Sequence, residues 1–429
     1  MRTLVRARLV LPITAPPLED GAVLVSGGQL AAIGPWSELS AEASDARQID
    51  LGEVVLLPGF LNAHCHLDYT GFAGMIPPPR SFTEWIQGVL ALKAQWSFTD
   101  YAASWVAGAR QLVESGCTSV LDCESVPELL PDVWTGTPLR VISALEMTGV
   151  RSERSSAAIL GEAMARLDHL TPPPRSMLAL APHAPYSTKP DLLAACAAVM
   201  RERGTLATLH LAESIEEYEM FRHASGPMHA WLRAQRDMSD CGVRTPVAAV
   251  AQTGILSSRM ILAHVNHVED EDLELLARSG ASVAHCPRSH AYFGHAPFPL
   301  TRLLQAGVRV VLGTDSLLSV RKTGRTMPRL DLFAELRAAA EAFPGLGADR
   351  LLRMVTCESA QALGFAGRAG CLEPGVWADL IGVPYTGGVA EAADFVVRRS
   401  GPVTMAMIGG TWVHGPMSEG GADGRGEVS

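Results

Sequence analysis

Residues 54–68, VVLLPGFLNAHCHLD, decide the fold. The run up to Ala63 is apolar at almost every position, so it reads as a strand covered on both faces, as in a parallel sheet. It ends in His64-Cys65-His66. Side chains alternate across a strand, so His64 and His66 point the same way and can reach one metal ion. Cys65 points to the other side and is assigned to packing.

Moving outward, the same texture recurs at 117–122 (CTSVLD), 139–146 (LRVISALE), 177–185 (MLALAPHAP), 206–213 (LATLHLAE), 260–265 (MILAHV), 281–286 (ASVAHC) and 308–315 (VRVVLGTD). Amphipathic helical segments lie between these runs, among them 190–203, 270–279 and 300–306. Alternating strands and helices argue for βα units, and eight such units fit an α/β fold of the (β/α)8 TIM-barrel type. An open doubly wound sheet is the alternative, but no G-x-G-x-x-G follows a strand to support dinucleotide binding. The two ends differ from this rhythm. Residues 21–35 (GAVLVSGGQLAAIGP) read as a hairpin about Gly27-Gly28, and 378–384, 403–408 and 411–413 are short strand candidates. The expected organisation is a small β-sandwich from both termini (1–55 and 371–415) around a barrel at 56–370, with a disordered Gly-rich tail at 416–429.

Composition narrows the function. Of 429 residues 48% are hydrophobic and 19% charged, which describes a core-rich globular chain rather than a disordered one. Asp and Glu (45) outnumber Lys and Arg (35), giving a net charge of −10 with no basic block. Neither nucleic acid nor an anionic membrane is expected as a partner. No apolar run reaches the roughly 20 residues that span a bilayer. Arg6, Arg8 and the prolines at 12, 16 and 17 break any secretory pattern. The 8 cysteines form no C-x-x-C pair, so buried thiols in a reducing cytoplasm are expected. The partner read from this is a small-molecule substrate; a homodimer is left open.

In a barrel of this type the C-terminal strand ends converge on one mouth. Four of the runs deliver His64 and His66, His210, His264, and Asp315 there, with Glu213 three residues past His210. Imidazoles with one carboxylate suit Zn²⁺ or Fe²⁺. Each piece alone has an ordinary explanation: a chance H-x-H, a core histidine at 264, a helix-capping Asp in Thr314-Asp315-Ser316. Together they do not, because buried ionisable groups cost several kcal/mol unless paired or ligated.

In this order, PGFLNAHCHLD, HLAE, a strand ending in His264, and LGTDS, the motifs resemble the amidohydrolase superfamily, in the branch of cyclic deaminases and chlorohydrolases. The resemblance implies that His64, His66, His210 and Asp315 hold a single divalent metal, Zn²⁺ or Fe²⁺. It also implies that Glu213 is the acid/base, and that His264 and Asp315 serve the attacking water. No lysine sits at a strand end to bridge a second ion. The other zinc-deaminase signature, H-x-E with P-C-x-x-C, is absent. His183 in APHAPYST resembles the histidine that faces the substrate sugar, and Trp85 sits where it can pack on an aromatic ring. Arg288, just past the seventh strand, is taken as the partner of a substrate carboxylate. The family often carries Asn where this chain has His290.

The function this implies is metal-dependent hydrolytic deamination of an aminated heteroaromatic ring, most of all an aminopurine nucleoside. Within the branch the resemblance points to aminodeoxyfutalosine deaminase of menaquinone biosynthesis. The alternatives are deamination of another ring (an adenosine thioether, guanine or a pterin), a chloro- or amino-triazine-type hydrolase, and, in a different class, a non-catalytic ligand-binding barrel. Metal analysis of the purified protein should find one divalent ion per chain. Two ions bridged by a modified lysine would overturn the ligand set.

Overall fold

The computed structural model describes residues 2–77, 80–150, 153–322 and 324–415. The tail read as disordered, 416–429, lies outside them, as does Arg151. Eight parallel strands run in chain order round one sheet. They are β1 (Phe60–Cys65), β2 (Cys117–Glu124), β3 (Arg140–Met147), β4 (Met177–Pro182), β5 (Ala207–Leu211), β6 (Met260–His264), β7 (Ser282–His285) and β8 (Arg309–Leu312). Every one overlaps a run read from the sequence, with β2 and β3 running on past the end of theirs to Glu124 and Met147, and the helices Pro190–Arg203, Asp270–Ser279 and Leu300–Gln305 fill the expected intervals. The last strand returns to the first. Cys65 bridges Asp315 in parallel, and the Thr314 and Asp315 amides both donate to the His64 carbonyl at 3.0 and 3.1 Å. The architecture is a TIM-type barrel.

The strand side chains that point inward are small or slender: Leu61 and Ala63, Leu121 and Cys123, Ile142 and Ala144, Ala179 and Ala181, Ile261, Ala284 and Val311. Phe365 and Leu363 pack against this set. Outward-pointing residues of the same strands, such as Val120, Val141 and Val283, join the larger cluster under the helices. Burial on both faces is why these strands show no polar alternation.

Both termini build a second, mixed sheet of eight strands. Thr411–His414, Met405–Ile408, Leu380–Pro384, Val54–Pro58, Arg2–Val10, Leu18–Ser26 and Gln29–Pro35 follow one another, and Arg47–Asp50 pairs with Arg2–Val10. The hairpin turns at Gly27 (φ 59°) and Gly28 (φ 78°), a pair of positive angles that favours glycine. The run opening this account is divided between the two sheets. Residues 54–58 pair antiparallel with Leu380–Pro384, and after Gly59 the chain enters the barrel.

One ion pair ties the sheets together. Arg140, at the start of β3, donates to Asp379 at 2.6 Å, with both side chains almost fully buried. The Asp379 carboxylate also accepts from the Gly409 amide, and the guanidinium lies 4.0 Å over the Trp377 ring. The 8 cysteines are all buried and free. No helix among the described residues is long and apolar enough to cross a membrane. Removing one partner of a buried ion pair leaves an uncompensated charge and costs about 3–5 kcal/mol. Asp379→Ala should therefore lower unfolding stability by about that amount, measured by urea titration; an unchanged midpoint would show the pair to be dispensable.

Candidate active site

The mouth of the barrel is built on unusual backbone. Eight non-glycine residues among those described have positive φ, and Ala212, His264, Val265 and Asp315 are four of them. All four stand at the ends of β5, β6 and β8. Each such conformation costs about 1–3 kcal/mol and persists only where the surroundings enforce it. At β8 the enforcement is visible. Gly313 lies against the His64 backbone so closely that a Cβ would fall 2.8 Å from the His64 carbonyl oxygen. Asp122 adds to it by accepting from the Leu67 amide at 2.7 Å, which pins the chain just after His66.

This backbone brings five side chains to one point. The donor atoms of His64, His210, His264 and Asp315 all lie within 4.8 Å of one another. His66 Nε2 stands 3.2 Å from His210 Nε2 and 3.6 Å from Asp315 Oδ1, and His64 Nε2 stands 3.5 Å from the same oxygen. All five residues are buried, and His64 Nε2 and His264 Nε2 have no hydrogen-bond partner. Orphaned buried nitrogens facing a carboxylate fit a divalent cation.

The surrounding bonds orient these donors. The His183 carbonyl accepts from the His210 ring at Nδ1 (2.9 Å), which leaves His210 Nε2 as the free lone pair. Asp315 Oδ2 accepts from Ser289 (2.7 Å) and Ser319 (2.9 Å), so Oδ1 is turned to the cluster. Burial, then the neighbouring charge of His64, holds His66 down to about 3. Burial also takes His264 to about 3 and His210 well below the usual imidazole value. Neutral imidazoles are what a cation requires. Burial works against ionising Asp315, but contact with His64 and the fields of His264 and His66 hold it well below the ordinary carboxylate value. Glu213 goes the other way: burial, then the nearby Asp315 and Glu217 charges, push it well above the usual range. Two carboxyls at one site are thus pushed in opposite directions, Asp315 down and Glu213 up. Glu213 Oε1 stands 3.6 Å from His264 Nε2.

A cavity of about 500 Å³ opens on this cluster. His66, His210, Glu213, His264 and Asp315 form its polar end, and His183 and Trp85 line it. His183 is fixed by Ser187 Oγ at 2.7 Å. Trp85 lies on helix α1 (Phe82–Lys93), which presents Trp85, Ile86, Val89 and Leu90 to the cavity. The Trp85 indole N–H is buried without a partner.

Arg288 is not there. Its guanidinium donates to the fully buried Glu335 at 2.5 Å and to the Arg329 carbonyl at 2.9 Å, away from the cavity lining. A buried carboxylate has captured it, so the expectation that it receives a substrate anion is corrected. His290 also stands outside the lining, bonded to Asn266. Among the described residues, the lysine or arginine that lines the cavity is Lys93, 3.8 Å from Glu146 and hydrogen-bonded to Tyr69, whose ring stacks on His66. Neither Lys93 nor Glu146 was singled out from the sequence. Glu146 ends the third apolar run, and its place at a strand end was the available signal; Lys93 sits on a helix and had none.

The pattern of the Amidohydrolase family matches residues 55–413. A 5-methylthioadenosine/S-adenosylhomocysteine deaminase of Syntrophobacter fumaroxidans is 29% identical over 372 residues, 86% of this chain and 80% of that protein. Among solved structures, Helicobacter pylori aminofutalosine deaminase in complex with methylthio-coformycin superposes with a TM-score of 0.84 at 23% identity, covering 96% of this chain and 100% of that one. A zinc-bound adenosine deaminase of Xanthomonas campestris gives 0.81 at 24% identity, covering 96% and 93%. The structural likenesses show the fold, and the family match shows that the chain belongs to the amidohydrolase family. Replacing His210 by Ala removes one donor from the centre of the cluster. It should strip most of the bound metal, read by elemental analysis of the dialysed protein; full retention would place the ion elsewhere.

Proposed function

We propose that this member of the amidohydrolase family is a metal-dependent hydrolytic deaminase of an aminopurine nucleoside. The observation that carries the reading is geometric: Glu213 and Asp315 line one cavity beside buried histidines, and the donor atoms of His64, His210, His264 and Asp315 lie within 4.8 Å of one another. His64, His66, His210 and Asp315 would hold the ion, Zn²⁺ or Fe²⁺. When bound, such an ion supplies a Lewis acid that lowers the pKa of water to about 7.

The protein groups do the rest. Glu213 donates its proton to a ring nitrogen, which makes the neighbouring amino-bearing carbon electrophilic. Asp315 accepts a proton from the attacking water, and His264 Nε2 faces the oxygen being added. The carbon then carries both oxygen and amine. Asp315 passes the water proton on to the amine, the C–N bond breaks as ammonia leaves, and the proton of the new hydroxyl returns to Glu213 as the ring carbonyl forms. General acid and base steps of this kind contribute about 10²–10⁴-fold each. His183 would face the sugar, and Trp85 would pack on an aromatic part of the substrate with its indole N–H free to donate.

Two substrate readings follow from different observations. Aminodeoxyfutalosine remains the substrate we favour. Its benzoate carboxylate would meet Lys93, the cation of the cavity wall, in the role first given to Arg288, and this would place the enzyme in menaquinone biosynthesis. The names of relatives such as the Syntrophobacter protein favour 5-methylthioadenosine or S-adenosylhomocysteine instead. A cytoplasmic location accords with either.

The test is ammonia release from these compounds and adenosine. Lys93→Met should lower kcat/KM for aminodeoxyfutalosine and spare 5-methylthioadenosine; equal loss for both would make Lys93 structural. Glu213→Gln should keep metal and fold but lose more than 90% of turnover, on the order of the general-acid contribution. A rate above about a tenth of wild type would refute Glu213 as the acid.

A further inference from the structure

Glu217 belongs to the helix Ile215–His223, whose N-cap is Ser214. Ser214 Oγ accepts from the Glu217 amide at 3.1 Å. In an ordinary capping box the glutamate at this position returns to the N-cap amide. Here it reaches further back. One carboxylate oxygen accepts from the Ala212 amide at 3.0 Å and the other from the Glu213 amide at 2.8 Å. Glu217 is completely buried, and Ala212 is one of the left-handed residues of the barrel mouth.

The opposite side of this turn is held as firmly. The Asn266 amide donates to the Ala212 carbonyl at 2.9 Å, and Asn266 Nδ2 donates to the Glu213 carbonyl at 2.8 Å. Every backbone polar group of Ala212 and Glu213 is therefore bonded. Without Glu217 two buried amides would be orphaned in a strained turn, each bearing the desolvation penalty of an unmade hydrogen bond. The helix does not need this carboxylate, because Ser214 caps it. What the carboxylate fixes is the peptide carrying the Glu213 side chain.

We propose that Glu217 is a positioning residue for the reaction: its carboxylate grips the Ala212 and Glu213 amides and thereby sets where the Glu213 carboxyl stands over the substrate ring. The inference rests on the reading of Glu213 as the proton-carrying group. Two acceptor oxygens are required, so glutamine is no substitute. Its amide nitrogen would face one of the two N–H groups, donor against donor. A displacement of about 1 Å in such a group can cost 10²-fold in rate.

The experiment is Glu217→Gln, with kcat expressed per metal-loaded folded molecule. The expected result is a fall in kcat of about 10–100-fold with KM within about threefold of wild type and metal content unchanged. A merely structural residue would lower the melting temperature or the yield and leave that normalised kcat alone. Residue-resolved amide exchange gives a readout independent of turnover: the Ala212 and Glu213 amides should exchange about tenfold faster or more in the variant. Unchanged exchange, or unchanged kcat in an active protein, overturns the clamp. Should Glu217→Gln not fold, Glu217→Asp, a methylene too short to hold both amides, is judged by the same two readouts. A wild type that deaminates none of the purine substrates counts against the proposed function, and the exchange measurement still decides the clamp.

Discussion

The bonds that close the barrel are the bonds that build the site. Thr314 and Asp315 donate to the carbonyl of His64, so the last strand is joined to the first through residues of the candidate site. Gly313 permits the approach, since its neighbour there is His64 backbone with no room for a side chain. Closure fixes the backbones of His64 and Asp315 against each other and leaves their side chains 3.5 Å apart. A weaker closure would open the sheet and separate the donors in the same movement.

Burial then does the electrostatic work. All of the donor histidines and both carboxyls sit in the barrel mouth out of water. Low dielectric pushes His66, His210 and His264 toward the neutral form and raises Glu213, while Asp315, with contact from His64 and with His264 and His66 close about it, is held below the ordinary carboxylate value. The cost is carried by surrounding hydrogen bonds. Ser289 and Ser319 hold Asp315, the His183 carbonyl holds His210, and Glu217 with Asn266 holds the turn bearing Glu213. The left-handed residues at three strand ends belong to the same economy of strain: the rigid barrel forces them, and they aim side chains that regular strand geometry would not.

Where reading and structure part, long-range pairing is the reason. Arg288 looked free because nothing near it in sequence could neutralise it. Glu335, on a helix 47 residues later, lies against it completely buried. Lys93 looked like one more helical lysine until α1 lay along the cavity with its last residue over Tyr69. The run at 54–63 reads as one strand because hydrophobicity does not register a change of sheet. Only its pairing with Leu380–Pro384 shows that its first half belongs to the terminal sheet.

The sequence by itself determined the period of the fold and the chemistry of its strand ends. Apolar runs without alternation mark strands buried on both faces, and that signal is local, so all eight strands and three of the helices between them were legible. The convergence of the side chains at 64, 66, 210, 264 and 315 was legible too, because strand-end position is a sequence property. Tertiary structure alone decided that Lys93 rather than Arg288 faces the cavity, which way burial pushes each carboxyl, and which groups hold the clustered side chains in place. Those outcomes depend on distance and burial among residues tens to hundreds of positions apart, and neither quantity exists until the barrel has closed.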